Sequence, residues 1–189
     1  MSHEAIDRLI ASRVDVYSDL RKTAFVDNLL KISGGIISCL QSGRVLLICG
    51  NGGSAAQAVH LAGELVGRYK RERSALPAVA LNTDPAVVTA IANDYSYDEI
   101  FARQVQAFGR IGGALLTIST SGNSRNLLRA AAVARELGLA NYALLGRDGG
   151  ELGKLCDTAL IVPAWDTPLI QEVHDTAIHL ICDLVDDAA

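Results

Sequence analysis

The sequence has 189 residues, enough for one domain with a substantial buried core. Half of the chain, 50%, is hydrophobic, but no uninterrupted apolar run reaches the roughly twenty residues of a membrane-spanning helix, so the apolar surplus indicates buried subunit interfaces. The net charge of −4 gives no electrostatic reason to bind nucleic acid, so neither a membrane nor a nucleic acid is expected as a partner.

The first segment, from His3 to about Gln41, repeats apolar residues at helical spacing. This spacing predicts one or two long helices, with Gly34 and Gly35 as a weak point. The segment has no strand of its own to pair with a sheet. We therefore divide the chain into an N-terminal helical oligomerisation arm, residues 1–43, and one α/β domain, residues 44–189.

From Arg44 onward, short β-branched runs alternate with longer helical segments, which is typical of βαβ units and a parallel sheet. The predicted strands are Val45–Cys49, Ala78–Leu81, Ala114–Ser119, Ala143–Leu145 and Ala159–Val162. The predicted helices are Ala55–Val66, Pro85–Asn93, Asp98–Phe108, Ser124–Leu137, Gly150–Leu155 and Leu169–Val185. Ligands of such sheets bind beyond the carboxyl ends of the strands, so the loops there are candidate binding loops.

The first of these loops contains three glycines, Gly50, Gly52 and Gly53, between a buried strand and a helix. Glycine lets the backbone approach a ligand closely, and the amides at a helix start attract anions. The helix that follows carries His60 and Glu64, which are four residues apart and share one face. On spacing alone, a solvated surface pair is the simpler interpretation of these two side chains.

The second loop, STSGNS at Ser119–Ser124, offers several hydroxyls and one glycine before an amphipathic helix. Amides and hydroxyls without a lysine suit a phosphate monoester. An ordinary helix cap by Ser121 or Asn123 explains the composition equally well. Both interpretations stay open on the local sequence.

Two other patterns are weaker. Residues 50–55 fit a loose dinucleotide-binding pattern, but Asn82 stands where an acidic residue is expected after the next strand. Asn93 and Asp94 end a predicted helix, where a cap and turn is the local interpretation. The polar residues of the C-terminal helix include Gln171, Glu172, His174 and His179.

The cysteines and the first residues of the sequence indicate the cellular compartment. The four cysteines form no Cys-x-x-Cys pair and mostly lie in apolar surroundings, which is typical of small core residues in a reducing environment. The start MSHEAIDRL is mixed and charged, unlike a signal peptide. We predict a cytoplasmic protein, and we interpret the one basic run, Arg68–Arg73, as a solvated loop.

Taken together, CGNGGSAAxxxHxAxEL, the AND triplet at 92–94, ISTSGNS and IQExHxxxIH resemble the phosphoheptose isomerases, the sedoheptulose 7-phosphate isomerase branch of the sugar isomerase (SIS) family. The resemblance runs from about residue 40 to the C-terminus. It implies a flavodoxin-like, three-layer SIS domain with a five-stranded parallel sheet, and a homotetramer. It also implies an aldose–ketose isomerase that makes D-glycero-D-manno-heptose 7-phosphate, the first step of nucleotide-activated heptose biosynthesis.

The resemblance assigns roles to individual positions. It implies that Glu64 and His179 are the catalytic pair. It implies that the substrate is bound by Asn51, Gly52, Gly53, Glu64, Asn93, Asp94, Ser119, Thr120, Ser121, Ser124 and Gln171. It implies a zinc site, one ion per subunit, at His60, Glu64, Gln171 and His179. Gln171 and His179 are about 12 Å apart along a regular helix, so either Gln171 precedes the helix or the ligands come from different subunits.

Non-catalytic SIS proteins provide the alternative function, namely binding a sugar phosphate or the replication initiator protein. The segment Tyr69–Asp84 resembles that binding branch as well as the enzymes, whereas the binding branch lacks the equivalents of Glu64 and His179. Two residues depart from the isomerase pattern. Leu169 replaces a frequent arginine and Gly113 a frequent aspartate, which leaves substrate detail open.

Overall fold

A five-stranded parallel sheet forms the centre of the computed structural model, which describes residues 2–189. The strands are β1 (Val45–Gly50), β2 (Ala78–Ala80), β3 (Gly112–Ser119), β4 (Ala140–Gly146) and β5 (Thr158–Val162). They lie side by side in the order β2-β1-β3-β4-β5, and every neighbouring pair is parallel. This order is flavodoxin-like and has its switch point between β1 and β3. The predicted fold class is confirmed.

Helices cover both faces of the sheet. They are α1 (His3–Leu20), α2 (Phe25–Gln41), α3 (Gly53–Val66), α4 (Pro85–Asp94), α5 (Ala102–Phe108), α6 (Arg125–Glu136), α7 (Leu152–Leu155) and α8 (Thr167–Ala188), with a 3-10 turn at Tyr97–Glu99. On β1, Leu46 and Ile48 pack against the layer of α2, α3 and α8, whereas Leu47 and Cys49 pack against the layer of α5, α6 and α7. Because both sheet faces are buried, the strands read as nearly continuous apolar runs.

The break between the N-terminal helices falls at residues 21–24, so the predicted weak point at Gly34 and Gly35 is wrong. Gly35 lies inside α2, and a Cβ atom there would overlap the phenol of Tyr142 on β4. The glycine therefore lets α2 pack closely on the sheet. Seven residues of α2 are buried, whereas only Leu20 is buried in α1.

Helix α1 is attached to α8 by polar contacts and leaves apolar residues exposed. The Arg13 guanidinium donates to Glu172 Oε1 at 2.9 Å, and the Tyr17 hydroxyl lies 2.7 Å from Thr176 Oγ1. The exposed apolar residues of α1 are Ile6, Leu9, Ile10 and Val14. Among residues 2–189, no single helix has the length and apolar composition to cross a membrane, and α1 and α2 reach that threshold only together, across a 73° bend.

Candidate active site

The glycine turn after β1 has backbone geometry that requires glycine. Gly52 has φ of 56° and ψ of −122°, a conformation that side chains disfavour. Helix α3 begins at Gly53, and no side chain caps its first amides. The Ser54 amide donates to the Asn51 carbonyl at 3.0 Å and the Ala55 amide to the Gly52 carbonyl at 3.0 Å, so the anion-binding interpretation of the turn rests on the amides of Gly52 and Gly53.

Asn51 is held in place by two residues that the sequence alone did not single out as site residues. Its amide exchanges two hydrogen bonds of 2.9 Å with Asn126 on α6, and its Oδ1 also accepts from the Tyr97 hydroxyl at 3.0 Å. The side chain therefore links the end of β1 to α6 and to the 3-10 turn. Asn126 lies two residues after the Ser119–Ser124 loop, and that adjacency was the only local signal for it.

The Ser119–Ser124 loop is not an ordinary helix cap. Ser124 is the N-cap residue of α6, but its side chain makes no capping bond. The Ser121 hydroxyl accepts from the Asn123 amide at 3.2 Å, and the Ser119 hydroxyl accepts from the Gly122 amide at 3.1 Å. The bonds from Ser119 and Ser121 shape the loop, whereas the Ser124 hydroxyl and the start of α6 stay open to a ligand.

A cavity of about 200 Å³ joins this loop to the other predicted elements. Its polar lining comes from Asn51, Ser54, Ser119, Thr120, Ser121, Ser124, Thr167 and Gln171. The structure thus brings together residues predicted from three separate motifs, and adds Ser54 and Thr167. Ser54 lies inside the glycine motif and Thr167 just before the C-terminal motif. No local pattern distinguished these two residues from their neighbours.

Gln171 also lines a second cavity, of about 300 Å³, along the groove between α3 and α8. Gln57 fixes that groove by donating to the Gln171 carbonyl at 2.8 Å and to Asp175 Oδ1 at 2.9 Å. His60 lines the same cavity. Gln171 lies within the regular helix α8, so the suggestion that it precedes the helix is wrong.

His60, Glu64 and His179 form a cluster farther along the same two helices. His60 Nε2 lies 3.3 Å from Glu64 Oε1, and the His60 and His179 rings meet edge to face with centroids 5.0 Å apart. The side chains of His60 and Glu64 are 37% and 25% exposed, so they are neither fully solvated nor buried. The cluster contains the predicted catalytic pair, Glu64 and His179, and three of the four predicted metal ligands.

The donor atoms of these side chains suit zinc, but their positions in a single chain do not form a zinc site. Imidazole nitrogen and carboxylate oxygen are donors that zinc accepts. However, within residues 2–189 no group of three or more His, Cys, Asp or Glu side chains is arranged to hold a metal ion. Gln171 lies about 12 Å along α8 from His179. Residues 2–189 of one chain therefore do not provide the predicted ligand set.

Asn93 and Asp94 lie apart from both cavities. They occupy the last two positions of α4, are exposed, and bond to each other through Asn93 Nδ2 and Asp94 Oδ1 at 2.9 Å. Neither lines the cavity at the serine loop or the groove between α3 and α8. Glu64, a third predicted substrate residue, also lines neither cavity, so one chain does not bring the whole predicted substrate set together.

The two departures from the isomerase pattern lie outside the cavities. Leu169 is buried in the core beneath α8. Gly113 lies near the amino end of β3, about 20 Å along the strand from Ser119, and packs against Cys39 and Arg44. Neither residue lines either cavity.

The cysteines are not part of the chemistry. Cys39, Cys49 and Cys182 are buried, and none of the four is in a disulfide. Burial raises the pKa of the Cys156 thiol to about 11 and that of Cys182 to about 12. Thiols that stay protonated at neutral pH are poor nucleophiles and poor metal ligands.

The fold and the phosphate-type loop together define a protein of the SIS class, and the SIS domain family matches residues 11–146. The phosphoheptose isomerase of Geobacter sulfurreducens is 49% identical over 183 residues, which cover 97% of this chain and 89% of the relative. That of Pelobacter propionicus is 54% identical over 153 residues, 81% of each chain. The solved structure of phosphoheptose isomerase GmhA from Neisseria gonorrhoeae superimposes with a TM-score of 0.90 at 39% identity, covering 97% of this chain and 98% of that one. The chain belongs to the phosphoheptose isomerase family.

Proposed function

We propose that the protein is an aldose–ketose isomerase that converts sedoheptulose 7-phosphate to D-glycero-D-manno-heptose 7-phosphate in the cytoplasm, as the first step of nucleotide-activated heptose biosynthesis. The observation that carries the proposal is the cavity in which the serine loop, Asn51 and Gln171 converge. The high identity to phosphoheptose isomerases over most of the chain supports the choice of substrate.

The cavity suggests how the sugar phosphate is oriented. The phosphate binds mainly to the hydroxyls and amides of Ser119–Ser124, at the uncapped start of α6. The Asn51–Gly53 turn then holds the sugar chain through its amides and the Asn51 side chain. Asn93 and Asp94 contact the sugar hydroxyls once the assembled site is complete.

The chemistry requires proton transfer between adjacent carbons through an enediol. We assign Glu64 as the base that removes a proton from C1 of the open-chain ketose and returns it at C2. His179 moves protons between the two oxygens. Positioned acid–base groups of this kind contribute typically about 10²–10⁴-fold each to the rate.

The distances along the helices favour a site shared between subunits. Gly53 and Glu64 are eleven residues apart on α3, about 16 Å, and Gln171 and His179 are about 12 Å apart on α8. When the phosphate of the substrate binds at Ser119–Ser124, the Glu64 and His179 that act on its carbonyl end therefore belong to a neighbouring subunit. We propose a homotetramer with such shared sites, and the exposed apolar residues of α1 supply surface for its contacts.

We also propose that the assembled protein binds zinc, one ion per subunit. Gln171 would join His60, Glu64 and His179 only in the assembled protein. A glutamate bound to metal is a weaker base, so occupancy by zinc and proton abstraction by Glu64 compete. Activity measured with added zinc and with a chelator distinguishes a metal that supports turnover from one that opposes it.

A direct assay tests the function. Purified protein is incubated with sedoheptulose 7-phosphate, with zinc or with a chelator, and the aldose is sought by NMR. The expected result is formation of the aldose in at least one of the two conditions. Binding of the sugar phosphate without any aldose would favour the non-catalytic alternative instead.

A further inference from the structure

The basic run Arg68–Arg73 is not simply a solvated loop, because it packs along the acidic end of α8. Lys70 Nζ lies 2.7 Å from Asp183 Oδ1, and the Arg71 guanidinium pairs with Asp187. These two pairs are mostly exposed and contribute little to stability. The third pair differs from them in burial.

Arg73 and Asp186 form a buried ion pair at 3.0 Å, with side chains only 7% and 3% exposed. Asp186 Oδ2 also accepts the backbone amides of Lys70 at 2.9 Å and Arg71 at 3.0 Å. Burial by itself would raise the pKa of the Asp186 carboxyl, but these amides and the guanidinium outweigh it and hold that pKa below its usual value. The carboxylate is thus charged, and it fixes the loop to α8.

The Arg73 guanidinium also binds the end of α3. It donates to the backbone carbonyl of Glu64 at 2.8 Å and to that of Leu65 at 2.8 Å. Carbonyls in the last turn of a helix have no partner within the helix, so the bond to the Glu64 carbonyl satisfies a group that would otherwise be left unpaired. The Leu65 carbonyl also accepts from the Leu76 amide at 3.1 Å. One side chain therefore connects the end of the Glu64 helix to the end of the His179 helix.

The loop that this pair anchors presents Tyr69 to His179. The two rings are stacked with centroids 5.6 Å apart and an angle of 21° between their planes. Lys70 Nζ lies 4.8 Å from the Tyr69 ring centroid. His60 also contacts the imidazole, edge to face, so His179 is held by two rings although it lies on an exposed part of α8.

We propose that Tyr69, Arg73 and Asp186 are positioning residues that hold the His179 imidazole in one orientation and at a fixed separation from Glu64. The assignment of Glu64 and His179 as the reacting groups rests on the proposed function. The buried pair sets the distance between the two helices, and the Tyr69 ring restricts the rotation of the imidazole. A displacement of a reacting group by about 1 Å can lower a rate about 10²-fold.

Two pairs of matched variants test the proposal. Tyr69→Leu removes the aromatic ring, whereas Tyr69→Phe keeps it. Asp186→Asn breaks the buried pair, whereas Asp187→Asn changes the adjacent exposed carboxylate in the same way. We expect Tyr69→Leu and Asp186→Asn to lose at least about tenfold in kcat with KM changed less than about twofold. The two controls keep wild-type kinetics.

A spectroscopic measurement complements the kinetics and does not depend on activity. The His179 ring protons, assigned by comparison with His179→Asn, are shifted upfield by the stacked Tyr69 ring in the wild-type protein. That shift is lost in Tyr69→Leu and Asp186→Asn, and it persists in Tyr69→Phe and Asp187→Asn. If Asp186→Asn does not fold, Tyr69→Leu decides, because Tyr69 is only half-buried at the edge of the core and leucine keeps an apolar side chain there.

The failure of this proposal is distinguishable from failure of the proposed function. Wild-type protein that makes no aldose contradicts the function, while the NMR comparison still reports on His179. Wild-type activity together with unchanged kcat and an unchanged His179 signal in Tyr69→Leu overturns the positioning role. Equal loss of kcat in Tyr69→Leu and Tyr69→Phe also overturns it, since only one of them lacks the ring.

Discussion

Gly53 and Gln171 are in direct contact across the groove between α3 and α8. A Cβ atom on residue 53 would fall 2.9 Å from Gln171 Cδ and closer still to Nε2. The absence of a side chain on the first residue of α3 is therefore what lets the Gln171 amide reach both cavities. Gly53 therefore has a steric role, whereas the conformational requirement for glycine falls on Gly52, with its φ of 56°.

Gly53→Ala is expected to displace the Gln171 side chain and to raise KM for the sugar phosphate about tenfold or more. Gly63→Ala is the matched control on the same helix, because no atom lies within 4 Å of a Cβ at position 63. That control is expected to raise the free energy of unfolding by about 0.5–1 kcal/mol, since alanine favours a helix interior. Steady-state kinetics and urea unfolding of both variants check the prediction. Equal kinetics in the two variants would contradict it.

Ser124→Ala separates phosphate binding from helix capping. A capping serine contributes about 0.5–2 kcal/mol to stability, but the Ser124 side chain makes no capping bond. We expect the free energy of unfolding to stay within about 0.5 kcal/mol of wild type while KM rises about tenfold, through loss of one hydrogen bond to a charged group. Stability loss with unchanged KM would contradict the assignment of the Ser124 hydroxyl to the phosphate.

Glu64→Gln removes the base and keeps the size of the side chain. Turnover is expected to fall by about 10²–10⁴-fold, while the sugar phosphate still binds. Glu72→Gln is the control, because that carboxylate is exposed and forms a surface ion pair with Arg68. Near-normal turnover in Glu64→Gln, with binding measured by calorimetry, would rule out the proposed role.

His174 predicts how stability depends on pH. It is fully buried, with its Nε2 bonded to the Leu145 carbonyl at 3.1 Å, and burial lowers the pKa of His174 to about 4. The unfolded chain takes up a proton below its ordinary pKa of about 6.5, whereas the folded chain does so only near pH 4. Stability is therefore fully present above about pH 6.5 and falls as the pH is lowered through this window.

From this pKa difference, protonation of His174 in the unfolded chain is expected to lower the free energy of unfolding at pH 5 by about 2 kcal/mol relative to pH 7. In His174→Asn this part of the pH dependence is absent, although the variant is less stable at pH 7. Urea unfolding at pH 5 and pH 7 measures the difference between the two proteins, from which the other histidines cancel. The same pH dependence in both proteins would refute the prediction.

The fold could be predicted because its pattern is local. Strands buried on both faces give apolar runs, so the predicted and observed strands agree within a few residues at each end. Gly35 shows the limit of this approach. A glycine in a helix signals a break on local grounds, whereas here it marks close contact with Tyr142, which is far away in the sequence.

The parts of the candidate site that are contiguous in sequence could be predicted, whereas the contacts between distant residues could not. The serine loop and the glycine turn are contiguous, so their cavity could be anticipated. Asn126 and Tyr97 bond to Asn51 across separations of 75 and 46 residues, and no periodicity encodes such contacts. Arg73 looked like one of several exposed cations, because only the packing of the loop on α8 brings Asp186 to it.

The ion pair between Arg73 and Asp186 also limits how this chain can evolve. Removing one partner leaves a buried, uncompensated charge, at a cost of about 3–5 kcal/mol, while replacing both by apolar residues can be neutral or favourable. Replacing the two residues one at a time therefore requires an intermediate protein that is less stable than either the original or the double variant. Across related sequences, positions 73 and 186 are expected to change together or to stay fixed together.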